Sequence, residues 1–355
     1  MSRFLSSKYE ALEPYTPGEQ PKVQNLIKLN TNESPFPPSP KVLDAINKME
    51  INKLNLYPDP EAKMLACAIS RRYTVPESRI ILGNGSDELL AFSFMAFQKG
   101  TRTICFPDIS YGFYKVYAEI YGAIAKRIPL DNSLKVVPDD YYNAPGTIVI
   151  ANPNPPTGTT LSIEEIEKIL KANKDNLVII DEAYVSFGAE SSVPLIDRYD
   201  NLLVIQTFSK DRNLAGARIG MAFAQEEIIE DLNKMKYSFN PYNLNRLSIL
   251  AGTAAIEDND YFESCIEKVK KTREYFVSNM EAIGFHIIPS FANFVFAKHD
   301  KISGEKYYKE LRDKNIIIRH FENERIKDYV RITIGTKEQM DALVDATKQI
   351  LEEMK

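Results

Sequence analysis

Two short apolar runs, Leu177-Val178-Ile179-Ile180 and Leu202-Leu203-Val204-Ile205-Gln206-Thr207, each end in chemically equipped residues. The first leads into Asp181-Glu182-Ala183-Tyr184 and the second into Phe208-Ser209-Lys210. Arg218 follows eight residues later, within Leu214-Ala215-Gly216-Ala217-Arg218-Ile219-Gly220. Runs of this kind read as buried strands, and ligands of α/β proteins collect at the C-terminal ends of parallel strands. A carboxylate, an amine and a guanidinium at neighbouring strand ends match the needs of pyridoxal phosphate chemistry. That chemistry uses a lysine as Schiff-base partner, an acid to hold the pyridinium proton, and cations with hydroxyls for the phosphate. Taken singly, an Asp at a strand end is an ordinary helix N-cap and a Lys after a serine is a solvated loop residue. In combination, with the arginine on a small-residue turn that permits close approach, they point to an enzyme.

Other segments supply candidates for the same site. Arg79-Ile80-Ile81-Leu82-Gly83-Asn84-Gly85-Ser86-Asp87-Glu88 reads as a strand, a glycine turn and a helix start. The exposed N–H groups of such a helix N-terminus bind anions, although Ser86, Asp87 and Glu88 also make an ordinary cap. Arg218 and Ser209 can converge on that anion. Tyr111 follows the next strand and can stack on a flat ring, or simply serve as a core aromatic. Asn152-Pro153-Asn154-Pro155-Pro156-Thr157-Gly158 is a rigid turn whose polar side chains are candidates to face a ligand.

The elements that must position these groups alternate. From about residue 41 to 257, helical patterns alternate with strands at Arg79-Leu82, Thr103-Phe106, Thr147-Ala151, Val178-Asp181, Leu203-Gln206 and Ile219-Ala224. This is the pattern of an α/β domain with a mostly parallel sheet. Asp258-Asn259-Asp260-Tyr261 offers an N-cap cluster before a long amphipathic helix that glycine stops near Ile283-Gly284. The pattern then changes to strand (His286-Ile288), strand (Phe294-Ala297), helix (Glu305-Lys314), strand (Ile316-Arg319), strand (Tyr329-Thr333) and a final helix from Lys337. It predicts a smaller α+β domain over 258–355. The first 40 residues, rich in proline, are expected to form an extended arm over the body.

Composition sets the outer limits. With 355 residues there is room for one large and one small domain, and 44% hydrophobic and 26% charged residues are ordinary for a globular protein. A formal net charge of -5 without a basic stripe argues against a nucleic-acid partner. The N-terminal Met1-Ser2-Arg3-Phe4-Leu5-Ser6-Ser7-Lys8 lacks the apolar run of a signal peptide, and no apolar stretch is long enough to span a bilayer, so the expectation is a cytoplasmic protein with no membrane partner. Cys67, Cys105 and Cys265 are odd in number and widely spaced, and His286, His299 and His320 are scattered. No disulfide framework, metal site or serine triad is expected.

The quoted motifs carry a resemblance that extends over nearly the whole chain. Pro14-Tyr15, Leu29-Asn30-Thr31-Asn32-Glu33, Tyr57-Pro58, Gly85-Ser86-Asp87-Glu88, Tyr111, Asn152-Pro153-Asn154, Asp181-Glu182-Ala183-Tyr184, Ser209-Lys210, Arg218 and Val330-Arg331-Ile332-Thr333-Ile334-Gly335-Thr336 stand together. The chain resembles the fold-type I pyridoxal phosphate enzymes and, among them, the histidinol-phosphate aminotransferase family. The resemblance implies a large domain on a mostly parallel seven-stranded sheet, a smaller α+β C-terminal domain, and a homodimer. It implies an aminotransferase of histidine biosynthesis that exchanges the amino group between histidinol phosphate and 2-oxoglutarate or glutamate.

By the same resemblance, Lys210 holds pyridoxal 5'-phosphate and then shuttles the substrate proton, Asp181 pairs with the pyridine nitrogen, and Tyr184 donates to the phenolic oxygen. Tyr111 stacks on the ring and Asn154 joins the cofactor set. Gly85, Ser86, Asp87, Thr207, Ser209 and Arg218 surround the phosphate, with Tyr57 reaching it from the neighbouring subunit. Arg319 and Arg331 take the anionic ends of the substrates, and Tyr15, Asn30 and Asn32 line that pocket. A guanidinium fork suits both carboxylate and phosphate. Read from its residues alone, Arg319 is equally an exposed strand end. The nearest alternative the resemblance leaves is a threonine-phosphate decarboxylase, which needs the same lysine, aspartate and arginines, and an aromatic amino acid aminotransferase of the same fold is another. A phosphate-ligand binder without catalysis is the alternative of a different class.

One position departs from the family's usual Asn-Pro-Asn-Asn-Pro-Thr-Gly. Its fourth residue, a donor to the phenolic oxygen, is here Pro155, which has no donor; Asn154 is the neighbour placed to compensate. The charged residues after the lysine, in Asp211-Arg212, are also unusual and are expected to alter the pocket wall.

Overall fold

The computed structural model describes residues 5–9, 11–21, 24–98, 100 and 102–354, so the first half of the Met1–Lys8 stretch lies outside the described residues. Strand β1 (Ile27–Lys28) belongs to the N-terminal arm. β2 (Ile80–Asn84), β3 (Thr103–Pro107), β4 (Ile124–Ile128), β5 (Thr147–Ala151), β6 (Val178–Asp181), β7 (Leu202–Thr207) and β8 (Ile219–Ala224) form, among the described residues, a seven-stranded sheet in the order β2-β8-β7-β6-β5-β3-β4. All pairings from β7 to β4 are parallel, and β8 runs antiparallel to both β7 and β2.

The central strands are uniformly apolar because the sheet is covered on both faces. Ile148, Ile150, Val178, Ile180, Leu202 and Val204 join the core on one face. Their alternates Val149, Ile179, Leu203 and Ile205 join the core on the other, beneath Tyr114 and Tyr117 of the helix Phe113–Tyr121. Pleat alternation therefore turns Asp181, two residues beyond Ile179, toward that tyrosine-bearing helix. β4 was not expected from the sequence. Ile124, Ala125, Lys126 and Arg127 are all exposed on this edge strand, so no apolar run marks it, and its charges protect the edge.

Beyond the helix Asn259–Ala282 come β9 (Phe285–Ile288), β10 (Phe294–His299), β11 (Ile316–Ile317), β12 (Arg319–His320) and β13 (Val330–Thr333). They form an antiparallel sheet ordered β12-β13-β10-β9, while β11 pairs in parallel with β1. The strand expected at Ile316–Arg319 is thus divided between two sheets, with buried Ile318 at the join. The division matters for the site, because it sets Arg319 directly opposite Arg331 across β12 and β13. The arm is fixed by the same elements: Leu29 N–H donates to the Ile317 carbonyl at 2.7 Å, and the Leu29 carbonyl accepts from Thr333 N–H at 3.0 Å. Asn30 and Asn32 are thereby delivered beside β13.

Among the described residues, no helix is long and apolar enough to cross a membrane, and no group of His, Cys, Asp and Glu side chains is placed to hold a metal ion. All three cysteines are free thiols.

Candidate active site

Asp181 ends β6 almost fully buried. Its Oδ2 accepts from the Tyr114 hydroxyl at 2.8 Å and its Oδ1 from the Ala183 N–H at 3.2 Å. Burial pushes the carboxyl up to about 6, against the opposing pull of those two hydrogen bonds. Lys210, just past β7, donates through Nζ to the Thr31 carbonyl at 3.2 Å, and its ammonium lies 5.9 Å from the centre of the Tyr184 ring. Burial, reinforced by the positive charge of Arg331, holds its amine down at about 8. A lysine whose pKa is lowered in this way gives up its proton more readily than a free one, as a nucleophile and proton carrier must.

A group of residues suited to an anion borders the same cavity. Arg218 sits in the left-handed region at φ 53, and its guanidinium donates to Ser209 Oγ at 3.3 Å and Asp87 Oδ2 at 2.9 Å. Thr207 Oγ1 donates to Ser209 Oγ at 3.0 Å and accepts from the Ser209 N–H. Gly85, at φ 78, opens the helix Gly85–Ala96, and a Cβ there would lie 2.4 Å from Arg218 Nη2. Glycine is what lets the guanidinium close over the helix N-terminus. The Asp87 carboxylate is already engaged by Arg218 and by the Tyr111 hydroxyl at 2.7 Å. What this turn offers an anion is therefore its helix N-terminus and the Ser86 hydroxyl.

Ser86, Asp87, Tyr111, Asp181, Tyr184, Thr207, Ser209, Lys210 and Arg218 all line this one cavity, as does Pro155. A second cavity shares Tyr111, Pro155, Tyr184 and Lys210 with it and is bordered by Tyr15, Asn30, Asn32, Arg319 and Arg331. Arg331 Nη2 donates to the Asn30 carbonyl at 2.8 Å, and burial holds the guanidinium below its ordinary range. Its Nε and the Asn30 Oδ1 are buried without a partner. Among the described residues, no carboxylate pairs with Arg331 or Arg319. Two cations without a counter-ion, facing one cavity, can receive an anion.

Three candidates, Gly85, Asn154 and Tyr57, do not line either cavity of this chain, and Gly85 acts only by making room for Arg218. Asn154 is buried between its own loop and the segment after β3: its Nδ2 donates to the Ile109 carbonyl at 3.0 Å and to Thr157 Oγ1, while its Oδ1 accepts from Ser110 Oγ at 2.7 Å. With both ends of its amide committed, it does not compensate for Pro155. Tyr57 is 78% exposed and stacks on Tyr242 with 4.5 Å between ring centres. Asp211 and Arg212 also leave the pocket wall, contrary to expectation. Asp211 accepts from Ser186 Oγ at 2.5 Å, and Arg212 lies over the Phe262 ring at 3.5 Å. Sequence reasoning missed Tyr114, Thr31 and Thr333. Tyr114 stands three residues after Tyr111, but only the pleat direction of β6 reveals that it faces Asp181.

The fold and site together define an aminotransferase, and residues 24–346 match the family Aminotransferase class I and II. The chain is 49% identical over 354 residues to "Histidinol-phosphate aminotransferase 2" of Dechloromonas aromatica (strain RCB), covering 99% of each. It is 48% identical to "Histidinol-phosphate aminotransferase" of Clostridium botulinum (strain Langeland), covering 100% of each. This chain belongs to the histidinol-phosphate aminotransferase family. The crystal structure of the Sinorhizobium meliloti histidinol-phosphate aminotransferase in complex with pyridoxal-5'-phosphate has the same fold, with a TM-score of 0.88 over 100% of this chain and 99% of that one at 24% identity.

Proposed function

We infer that this chain transfers an amino group between histidinol phosphate and 2-oxoglutarate, with pyridoxal 5'-phosphate in the cavity around Lys210 as its cofactor. The residues fit that group. A buried acid awaits a ring N–H, an amine of lowered pKa awaits an aldehyde, and a helix N-terminus with Arg218 and Ser209 awaits a phosphate. When bound, the cofactor supplies an electron sink for the substrate carbon that loses a proton.

Each residue then has a definable task. Asp181, aligned by Tyr114, keeps the ring nitrogen protonated. Lys210 anchors the cofactor and, once freed by the incoming amine, carries the proton. Tyr184 donates to the phenolic oxygen and Tyr111 covers the ring. Gly85, Ser86, Asp87, Thr207, Ser209 and Arg218 surround the phosphate, the first three chiefly through the helix N-terminus. Tyr15, Asn30 and Asn32 wall the substrate cavity.

The observation that carries the reading is that Lys210 and Tyr184 border both the cofactor cavity and the cavity holding the unpaired Arg319 and Arg331. A substrate whose amine meets Lys210 presents its far, anionic end to the guanidinium pair. The test is a half-reaction screen of the loaded enzyme with glutamate, histidinol phosphate, threonine phosphate and phenylalanine, followed by product analysis. Bleaching of the visible cofactor band by glutamate and histidinol phosphate, with the keto products, is expected. Carbon dioxide from threonine phosphate would make the chain a decarboxylase, and no reaction with any amine would make it a binder.

Arg319→Lys and Arg331→Lys are each expected to raise the KM for histidinol phosphate roughly 10- to 100-fold, since a charge-assisted hydrogen bond is worth about 1.5–3 kcal/mol and lysine cannot reproduce the fork. Steady-state kinetics check this, and unchanged KM in both variants removes the pair from the site.

The same reading divides the chain into an arm (1–40), a large domain (41–257) and a small domain (258–355), and makes it a cytoplasmic homodimer. Support for the dimer comes from Leu54, Leu56 and Tyr57, which are 54%, 56% and 78% exposed in one segment. A run of apolar side chains so exposed suits burial against a second copy, and Tyr57 would then reach the neighbour's phosphate. Sedimentation is expected to give a dimer, and Tyr57→Phe to weaken cofactor retention in equilibrium dialysis. A monomeric active species contradicts both.

Pro155→Asn is expected to restore a donor to the phenolic oxygen and lower the pH midpoint of the bound cofactor's visible absorption by roughly one unit. A hydrogen bond to a charged acceptor is worth about 1.5–3 kcal/mol, and one pKa unit corresponds to about 1.4 kcal/mol. The donor favours the deprotonated form, in which the phenolate has no neighbouring proton to share, so the midpoint falls. Superimposable titrations of parent and variant would show that this site already has its full set of donors.

A further inference from the structure

A directed chain of hydrogen bonds runs from β13 through the N-terminal arm to Tyr184. The backbone N–H of Asn32 donates to Thr333 Oγ1 at 3.1 Å, so that hydroxyl accepts from the backbone and gives its own proton to Asn32 Oδ1 at 3.0 Å. The Asn32 amide is thereby oriented, with its oxygen toward Thr333 and its nitrogen toward Tyr184. Asn32 Nδ2 donates to the Tyr184 hydroxyl oxygen at 3.0 Å. Asn293 secures the same residue from the other side by donating to the Asn32 carbonyl at 3.0 Å. Both Asn32 and Thr333 are buried, so water does not compete for these bonds.

Direction is the informative property of this chain. An amide nitrogen can only donate, and a phenol carries a single proton. The Tyr184 oxygen receives the Asn32 proton, and its own proton must point elsewhere. Tyr184 lines the cofactor cavity beside Lys210 and Pro155. Pro155 has no donor to offer, and the Asn154 amide is committed to Ile109 and Ser110 in the segment after β3.

We propose that Asn32 is a positioning residue that fixes the polarity of the Tyr184 hydroxyl, reserving its proton for the phenolic oxygen of the cofactor where Pro155 provides none. The proposal rests on the cofactor assignment above and goes beyond it, because it gives an arm residue that lines the substrate cavity an effect on the cofactor in the absence of substrate. It also ties the cofactor ring to β13, the strand that carries Arg331.

The left-handed backbone at Asn32, φ 55, makes glycine the substitution that removes the side chain without backbone strain. The measurement is the pH titration of the visible band of the loaded enzyme without any substrate, for the parent, Asn32→Gly, Tyr184→Phe and the double variant. Asn32→Gly is expected to raise the midpoint by about half a unit to one unit, the equivalent of an ordinary hydrogen bond's net worth. In the Tyr184→Phe background it is expected to add no shift, because a residue that acts through Tyr184 has nothing left to act on. Should Asn32→Gly fail to fold, Asn32→Asp carries the test: its carboxylate can only accept, so it draws the Tyr184 proton away, and the relay is the part of its shift that disappears with Tyr184→Phe. An unmoved midpoint in Asn32→Gly, or an equal shift with and without the Tyr184 hydroxyl, overturns the proposal while leaving the cofactor assignment standing. Failure of the parent itself to develop a visible band with pyridoxal 5'-phosphate overturns the assignment and the proposal together.

Discussion

Lys210→Ala is expected to fold, to bind pyridoxal 5'-phosphate, and to lose amino transfer by at least about 10⁴-fold. A positioned proton carrier alone contributes roughly 10²- to 10⁴-fold, and this residue is also the nucleophile that anchors the cofactor, so the two losses compound. Folding should survive because the ammonium makes no ion pair among the described residues; its hydrogen bond goes to the Thr31 carbonyl. Linkage gives a second readout. The folded-state pKa of Lys210 is depressed to about 8 from 10.5, so its contribution to stability is present above the unfolded value and lost as pH falls through about 8. Alanine lacks that dependence. The stability of the apo variant relative to the apo parent should therefore improve as pH is lowered from 10.5 to below 8, as denaturant melts at several pH values would record. Turnover within tenfold of the parent would place the catalytic lysine elsewhere.

The sheet ends were legible in the sequence because their chemistry is local. β6 and β7 are apolar runs that end in Asp181 and Lys210, and strand adjacency does the rest. The glycine turn before Ser86 was readable for the same reason. What escaped was set by contacts between distant parts of the chain. β4 carries its pairing on the backbone of an exposed edge, with no apolar signature. Ile316–Arg319 looked like one strand because nothing in its residues says that the arm will pair with one half of it and β13 with the other. Asn154 reads as a ligand-facing polar residue until Ile109 and Ser110, some 45 residues earlier, take up both ends of its amide. Tyr114 reads as a core aromatic until pleat alternation turns Asp181 toward it. The unpaired state of Arg319 and Arg331 is likewise a property of the assembled cavity, since the chain as a whole carries more acids than bases.

Asp181→Asn is expected to divide stability from function more sharply than any other substitution in this site. In the apoenzyme the carboxyl is buried and its pKa is raised from 3.8 to about 6. A raised folded-state value means that the acid's stabilising contribution is fully present below the unfolded pKa and is lost as pH climbs through about 6. At pH 8 the parent therefore bears the whole cost of a buried carboxylate, about 3 kcal/mol for a shift of this size. Asparagine keeps the shape and can still accept from Tyr114, so the apo variant should be the more stable protein at pH 8 by up to that amount, with the difference vanishing near pH 4. Cofactor binding reverses the comparison. Asp181 would hold the protonated ring nitrogen of the cofactor and have its buried charge offset there, whereas the neutral amide of the variant would not favour that protonation, so the electron-sink chemistry the cofactor supplies would be weakened. Turnover should fall by on the order of 10²- to 10³-fold or more, the loss typical of removing a preorganised electrostatic partner, while Arg218, Ser209 and the helix N-terminus still retain the phosphate. Denaturant melts of the apo proteins at pH 4 and 8, with single-turnover rates of the loaded ones, measure both halves. Normal turnover would move the ring-nitrogen partner to another residue. Equal apo stability at pH 8 would show that the free enzyme already compensates the carboxylate, leaving the cofactor no burial cost to offset.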